Sequence, residues 1–124
     1  MTRVVLCKLA EVATGRLTQA TLGRAAIVLT RLPDGRIRAF AGRCPHQGGP
    51  LAAGCVTGVT TADRPNELQL TRLGEVIRCP WHGFEWDMVT GQPLVAEPAD
   101  RRLRLRFLDV AIDGCEVVVS RADL

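Results

Sequence analysis

The chain has 124 residues, 47% of them hydrophobic, and its 16 Lys and Arg against 13 Asp and Glu leave a formal charge of +3. That length suits a single domain, residues 1–124, able to bury a core without a network of cross-links, and the mild charge excess falls short of the basic stripe of a dedicated nucleic-acid binder. The apolar run Val4-Val5-Leu6 is too short for a signal-peptide core and no stretch reaches membrane-spanning length, so the expectation is a cytoplasmic protein with no nucleic-acid or membrane partner.

No stretch keeps apolar residues at helical spacing over three turns, and 12 Gly with 7 Pro interrupt the chain at short intervals, which leaves strands to do most of the building. Residues 4–8 read as a first strand, 16–22 as a second, and 25–32 as a third that is apolar enough to run through the core. Pro33-Asp34-Gly35 supplies turn chemistry, and residues 36–41 return as a fourth strand that feeds into Cys44. The polar stretch 57–69, with Asp63-Arg64-Pro65-Asn66 inside it, reads as an excursion loop. Residues 67–73 and 75–78, joined at Gly74, form a hairpin that delivers Cys79. Val89-Thr90-Gly91-Gln92 is a turn. Residues 102–108 then alternate Arg102, Arg104 and Arg106 outward against Leu103, Leu105 and Phe107 inward. A final hairpin turns at Asp113-Gly114 and ends with residues 116–120. The sum is an all-β antiparallel domain with short connections.

Five cysteines, an odd number, argue against a disulfide framework in a reducing compartment and toward metal or redox use. The chain has two histidines, His46 and His82, and each lies within a few residues of a cysteine and a proline. Cys44-Pro45-His46-Gln47-Gly48-Gly49-Pro50-Leu51 and Cys79-Pro80-Trp81-His82-Gly83-Phe84 each carry a thiolate donor and an imidazole donor on a Gly/Pro-rich loop after a strand. Two such loops facing each other offer four ligands, a set that suits zinc or iron-sulfur chemistry. Zinc motifs usually pair cysteine with cysteine and histidine with histidine, whereas each loop here has one of each.

The C-x-H and C-x-x-H loops resemble the signature of the Rieske [2Fe-2S] family, as do the flanking Gly48-Gly49-Pro50-Leu51 and Gly83-Phe84-Glu85-Trp86-Asp87. The resemblance implies an antiparallel β-sandwich or barrel with two cluster-binding loops, about 43–51 and 78–87, at one end. It implies one [2Fe-2S] cluster with Cys44 and Cys79 on an inner iron and His46 and His82 on an outer one. The separation between His46 and Cys79 is longer than in compact ferredoxins of this type, and 57–69 is the expected insertion. Mixed ligation removes two negative charges relative to four cysteines and lifts the potential to roughly −150 to +300 mV. High-potential members add serine and tyrosine hydroxyls and a disulfide; the matching positions here are Phe84 and Trp86, and Gly49 and Trp81, which implies the low end of that window. Gly48, Gly49 and Gly83 are expected to let backbone approach the cluster and donate N–H bonds to sulfur.

The first functional reading is a ferredoxin that carries single electrons from a flavin-dependent reductase to a terminal, ring-hydroxylating type of oxygenase. It is not catalytic alone, since both histidines are used by the cluster and none remains for a mononuclear iron. The second is a small subunit of a larger reductase complex, similar to the Rieske-like subunit of nitrite reductases; the third is a zinc-stabilised binding module. The oligomeric state is left open. Cys7, Cys55 and Cys115 are expected to be buried small hydrophobes. Trp81 is placed to shield the cluster, to meet a partner or simply to pack. Arg101, Arg102, Arg104 and Arg106 read first as a solvated strand face and second as a guide for an acidic partner. Glu85, Asp87 and Glu97 either oppose that strip or form an acidic patch of their own.

Overall fold

The computed structural model describes residues 3–46, 48–81, 83–94 and 103–120. Among these the strands are, in chain order, β1 (Arg3–Lys8), β2 (Thr18–Leu22), β3 (Ala25–Arg31), β4 (Ile37–Ala41), β5 (Cys55–Arg64), β6 (Glu67–Arg78), β7 (Glu85–Asp87), β8 (Phe107–Leu108), β9 (Val110–Asp113) and β10 (Glu116–Ser120). They form three sheets, ordered β1-β10-β9, β2-β3-β4-β8 and β5-β6-β7, with antiparallel pairing throughout. The helical elements among the described residues are two 3-10 turns, Leu9–Glu11 and Leu51–Ala53. No helix there is long and apolar enough to cross a membrane.

Strand β3 organises the interior. Successive side chains of a strand point to opposite faces, and on β3 Ile27 and Leu29 enter one core while Val28 enters another. Both faces are covered, which explains why the segment is almost wholly apolar. The polar exception, Thr30, is buried with its hydroxyl donating to the Arg16 carbonyl at 2.7 Å, so it leaves no orphaned group. One core joins Val28, Leu32, Phe40 and Leu105 to Cys44, Cys79 and Trp86. The other joins Ile27, Leu29 and Ala39 to Val12, Val117 and Val119.

Segment 57–69 is not a loop. Its Thr57, Val59, Thr60 and Thr61 favour extended backbone, and β5 pairs with β6 through Val59↔Thr71, Thr60↔Leu70 and Thr61↔Gln69, turning at Pro65-Asn66 with Asn66 at φ 68°. The ribbon reads as polar because its outer end faces solvent, with residues 65–73 exposed. Gly74 is likewise not a hairpin turn: β6 is continuous through it, and its φ of 89° belongs to a bulge in which Gly58 stands opposite residues 72–75. Among the described residues 103–107 the alternation holds, since Leu105 is buried while Arg104 and Arg106 are exposed. The expected strand shrinks to β8: Arg106 still accepts from Ala41 of β4, but Leu105 donates to Gly91 instead. Arg101, Arg102 and Glu97 lie outside the described residues. The cysteine expectation is also corrected: Cys55 and Cys115 are exposed and Cys7 is half-buried, none of them disulfide-bonded, since each lies on an outer strand or at a hairpin rather than in a covered one.

Candidate metal centre

Both Cys/His loops are closed by the same backbone device. The Cys44 N–H donates to the Gly49 carbonyl at 2.8 Å, and the Cys79 N–H donates to the Phe84 carbonyl at 2.7 Å. Each cysteine therefore sits at the neck of a pinched loop, held by the strand that precedes it, β4 for Cys44 and β6 for Cys79. The first loop is further tied down by Gly42 donating to Ala26 and Leu51 donating to Gly42. The second passes directly into β7, whose Glu85 pairs with Arg78 both across the ladder and through a 3.1 Å ion pair.

The loops touch each other at their sulfurs. A Cβ on Gly49 would stand 2.7 Å from Cys79 Sγ and 3.0 Å from the Trp81 ring, so only glycine allows the first loop to lie this close to the second. Cys44 and Cys79 are 3% and 1% exposed. Their sulfurs accept hydrogen bonds in this burial: the Trp86 indole Nε1 donates to Cys44 Sγ at 3.2 Å, and the Trp81 backbone N–H donates to Cys79 Sγ at 3.4 Å. Burial pushes the Cys79 thiol up, the Trp81 N–H opposes that rise, and neighbouring Cys44 reinforces it. A cation at the pair relieves both the burial and the mutual repulsion of the thiolates.

His46 is exposed, and its ring stacks on Phe84 with centroids 4.5 Å apart and planes 16° from parallel. Phe84 in turn leans on Trp86 at 4.9 Å, so the imidazole plane is braced from the core. His82 lies outside the described residues. Among the described residues Cys44 and Cys79 come together, and no three His, Cys, Asp or Glu side chains are gathered to hold one metal ion.

Two sulfur donors differ from expectation. The Gly48 N–H is committed to the Cys44 carbonyl at 2.7 Å rather than to sulfur. Trp86, read in sequence as a missing hydroxyl, is itself a donor through its indole N–H. The signal was present in the residue type; what the sequence lacks is the direction of the ring. Asp87, next in the chain, is not part of an acidic patch. It is buried, accepts from the Val89 N–H at 2.8 Å and pairs with Arg72 at 3.0 Å, fastening β7 to the bulge of β6. Trp81 is 49% exposed and packs on Gly49, so it both contacts the opposite loop and faces solvent.

A family model described as the Rieske [2Fe-2S] domain matches residues 2–112. The chain belongs to this family. Among solved structures, the Rieske chain is similar to a Sphingomonas yanoikuyae B1 ferredoxin, with TM-score 0.71 and 21% identity over 97% of this chain and 99% of that one. It is similar to the ferredoxin of carbazole 1,9a-dioxygenase from Nocardioides aromaticivorans IC177, with TM-score 0.70 and 24% identity over 97% and 98%. A protein described as a nitrite reductase NADPH small subunit gives TM-score 0.66 at 19% identity over 97% and 99%. These likenesses show the fold. In sequence, apoptosis-inducing factor 3 of Mus musculus is 29% identical over 86 residues, which are 69% of this chain and 11% of that protein. The chain thus spans only a small part of the curated relative it matches.

Proposed function

We propose that this Rieske chain is a one-electron carrier holding one [2Fe-2S] cluster through Cys44, His46, Cys79 and His82, and that it passes electrons from a flavin-dependent reductase to a terminal ring-hydroxylating oxygenase. The observation that carries the reading is the asymmetry of the site. Two buried cysteine sulfurs receive N–H bonds, while His46 on the same loop is exposed. A [2Fe-2S] cluster bound there takes up and gives up a single electron.

The protein's share of the work follows from the geometry. Cys44 and Cys79 would hold the cluster at buried sulfurs, away from water, and the N–H groups of Trp86 and Trp81 on those sulfurs would favour added negative charge there. The histidine edge is the exit, and Phe84 fixes the His46 ring in one orientation. Both histidines of these 124 residues are taken up by the proposed cluster, and a separate oxygen-activating iron would need ligands other than these. The oxygenase partner is favoured by the likeness to the carbazole dioxygenase ferredoxin along nearly the full length of both chains. The likeness to the nitrite reductase small subunit supports a second setting, a fixed subunit of a larger reductase. Isolation of the native protein separates them: the first predicts a freely diffusing carrier, the second a stable complex with a flavin- or haem-bearing subunit.

Anaerobic purification, metal analysis and EPR after dithionite reduction test the reading. About two irons per chain and a reduced [2Fe-2S] signal typical of mixed His/Cys ligation are expected. His82→Ala is expected to abolish that signal while circular dichroism still reports a β-rich chain. A colourless zinc protein, or a native cluster signal in His82→Ala, defeats the proposal.

A further inference from the structure

Beside the first loop lies a recess of about 490 Å³ walled by Arg24, Arg43, Arg104, Arg106, Cys44 and Pro45. The four arginines arrive from places remote in sequence: the β2–β3 turn, the end of β4, and the segment that leads into β8. All four are exposed, and among the described residues no acidic or aromatic one lines the recess. Elsewhere, Arg3, Arg36, Arg72 and Arg78 have carboxylate partners. At the recess, Arg104 donates to the Thr90 carbonyl at 3.0 Å, which orients its guanidinium without neutralising it. Four like charges around one opening concentrate positive potential far beyond what a net charge of +3 spread over the chain provides.

We propose that this recess is the docking seat for an acidic segment of the protein that exchanges electrons with the chain. The inference rests on the carrier reading above. The inner wall of the recess is Cys44-Pro45, and the next residue, His46, is the exposed histidine edge. Aspartates and glutamates seated among these guanidiniums form charge-assisted, bidentate pairs and hold the partner's redox centre beside that edge. The space is too large for one small inorganic anion, and a nucleic-acid strand lacks the aromatic surface on which its bases stack. Exposed charges of this kind govern encounter rate and orientation more than final affinity.

Stopped-flow oxidation of the reduced holoprotein tests this, with cluster content first confirmed by iron analysis and EPR, so that failure of the carrier reading shows itself separately as a missing cluster. Ferricyanide serves as anionic oxidant, hexaamminecobalt(III) as cationic oxidant, and hexaglutamate as a mimic of the acidic segment. Arg24 and Arg106 are reversed together, Arg24→Glu with Arg106→Glu, because the described residues show no side-chain bond that the change would break. The expected result is that hexaglutamate slows ferricyanide about tenfold at low salt, that the double variant loses both this inhibition and about tenfold in rate, and that the cationic oxidant shows the opposite trend. Arg3→Glu, a reversal on a different sheet, is expected to leave the inhibition in place. Equal inhibition in the wild type and the double variant overturns the proposal. A ferricyanide effect without hexaglutamate inhibition also overturns it, in favour of a small-anion site, as does an Arg3→Glu effect as large as that of the recess variant.

Discussion

Strand β3 separates two cores that are equally dry and built for different ends. On one side Ile27 and Leu29 meet Val12, Val117 and Val119, an aliphatic packing with no chemistry in it. On the other, Val28 and Leu32 share their core with Cys44, Cys79 and Trp86, three side chains with polar atoms. The polar atoms are tolerable there because they satisfy one another, the indole N–H ending on a cysteine sulfur. The comparison teaches that both faces of one strand carry stability while only one also carries the cysteine site, so that cluster effects are separable from stability by mutation.

The largest effect sharpens that division. Leu29→Ala and Leu51→Ala each delete a fully buried side chain, one from each core, and each is expected to cost about 2–5 kcal/mol in chemical denaturation of the iron-free protein. They are expected to part in the holoprotein: Leu29→Ala keeps the wild-type EPR line shape, whereas Leu51→Ala, in the core that holds the cysteines, broadens it and speeds cluster loss. Identical spectra in the two variants break the division.

A smaller effect is expected at Gly49, where the two loops meet. Gly49→Ala puts a methyl against Cys79 Sγ and the Trp81 ring, and since the sulfur is fixed at the neck of its own loop it is the indole that must give. The cost expected of such overpacking is about 1–3 kcal/mol, seen as a lower iron content per chain with the melting of the iron-free protein changed much less. Full iron loading in this variant means the loops have more freedom than their contact indicates.

What was legible in the sequence was what local chemistry dictates. The Pro33-Asp34-Gly35 turn, the two-sided burial of β3 and the inward Leu103, Leu105 and Phe107 follow from residue type and period alone, and the cysteine pair follows from loop spacing. The outer half of β5 was illegible because neither face of the ribbon's outer end meets the core, so the pattern that announces a strand is missing although Thr60 and Leu70 pair as in any sheet. Gly74 looked like a turn because a bulge and a hairpin ask for the same positive φ. The recess escaped because Arg24 and Arg43 are brought to Arg104 and Arg106 only by the folded sheet.

The smallest effect probes the two sulfur donors, and it separates side chain from backbone. Trp86→Phe keeps an aromatic ring in the core but removes the indole N–H that reaches Cys44 Sγ. Added negative charge in the reduced state makes that bond stronger than in the oxidised state, so its loss disfavours reduction and the potential falls. With a net hydrogen bond of about 0.5–1.5 kcal/mol and 59 mV for each tenfold in a one-electron equilibrium, the expected drop is roughly 20–60 mV by protein-film voltammetry. Trp81→Phe is the matched control: its donor to Cys79 Sγ is the backbone N–H, which the substitution retains, so the potential is expected to move far less. If both variants keep their EPR signal and shift equally, the cause lies in solvent access at the loops rather than in the indole bond.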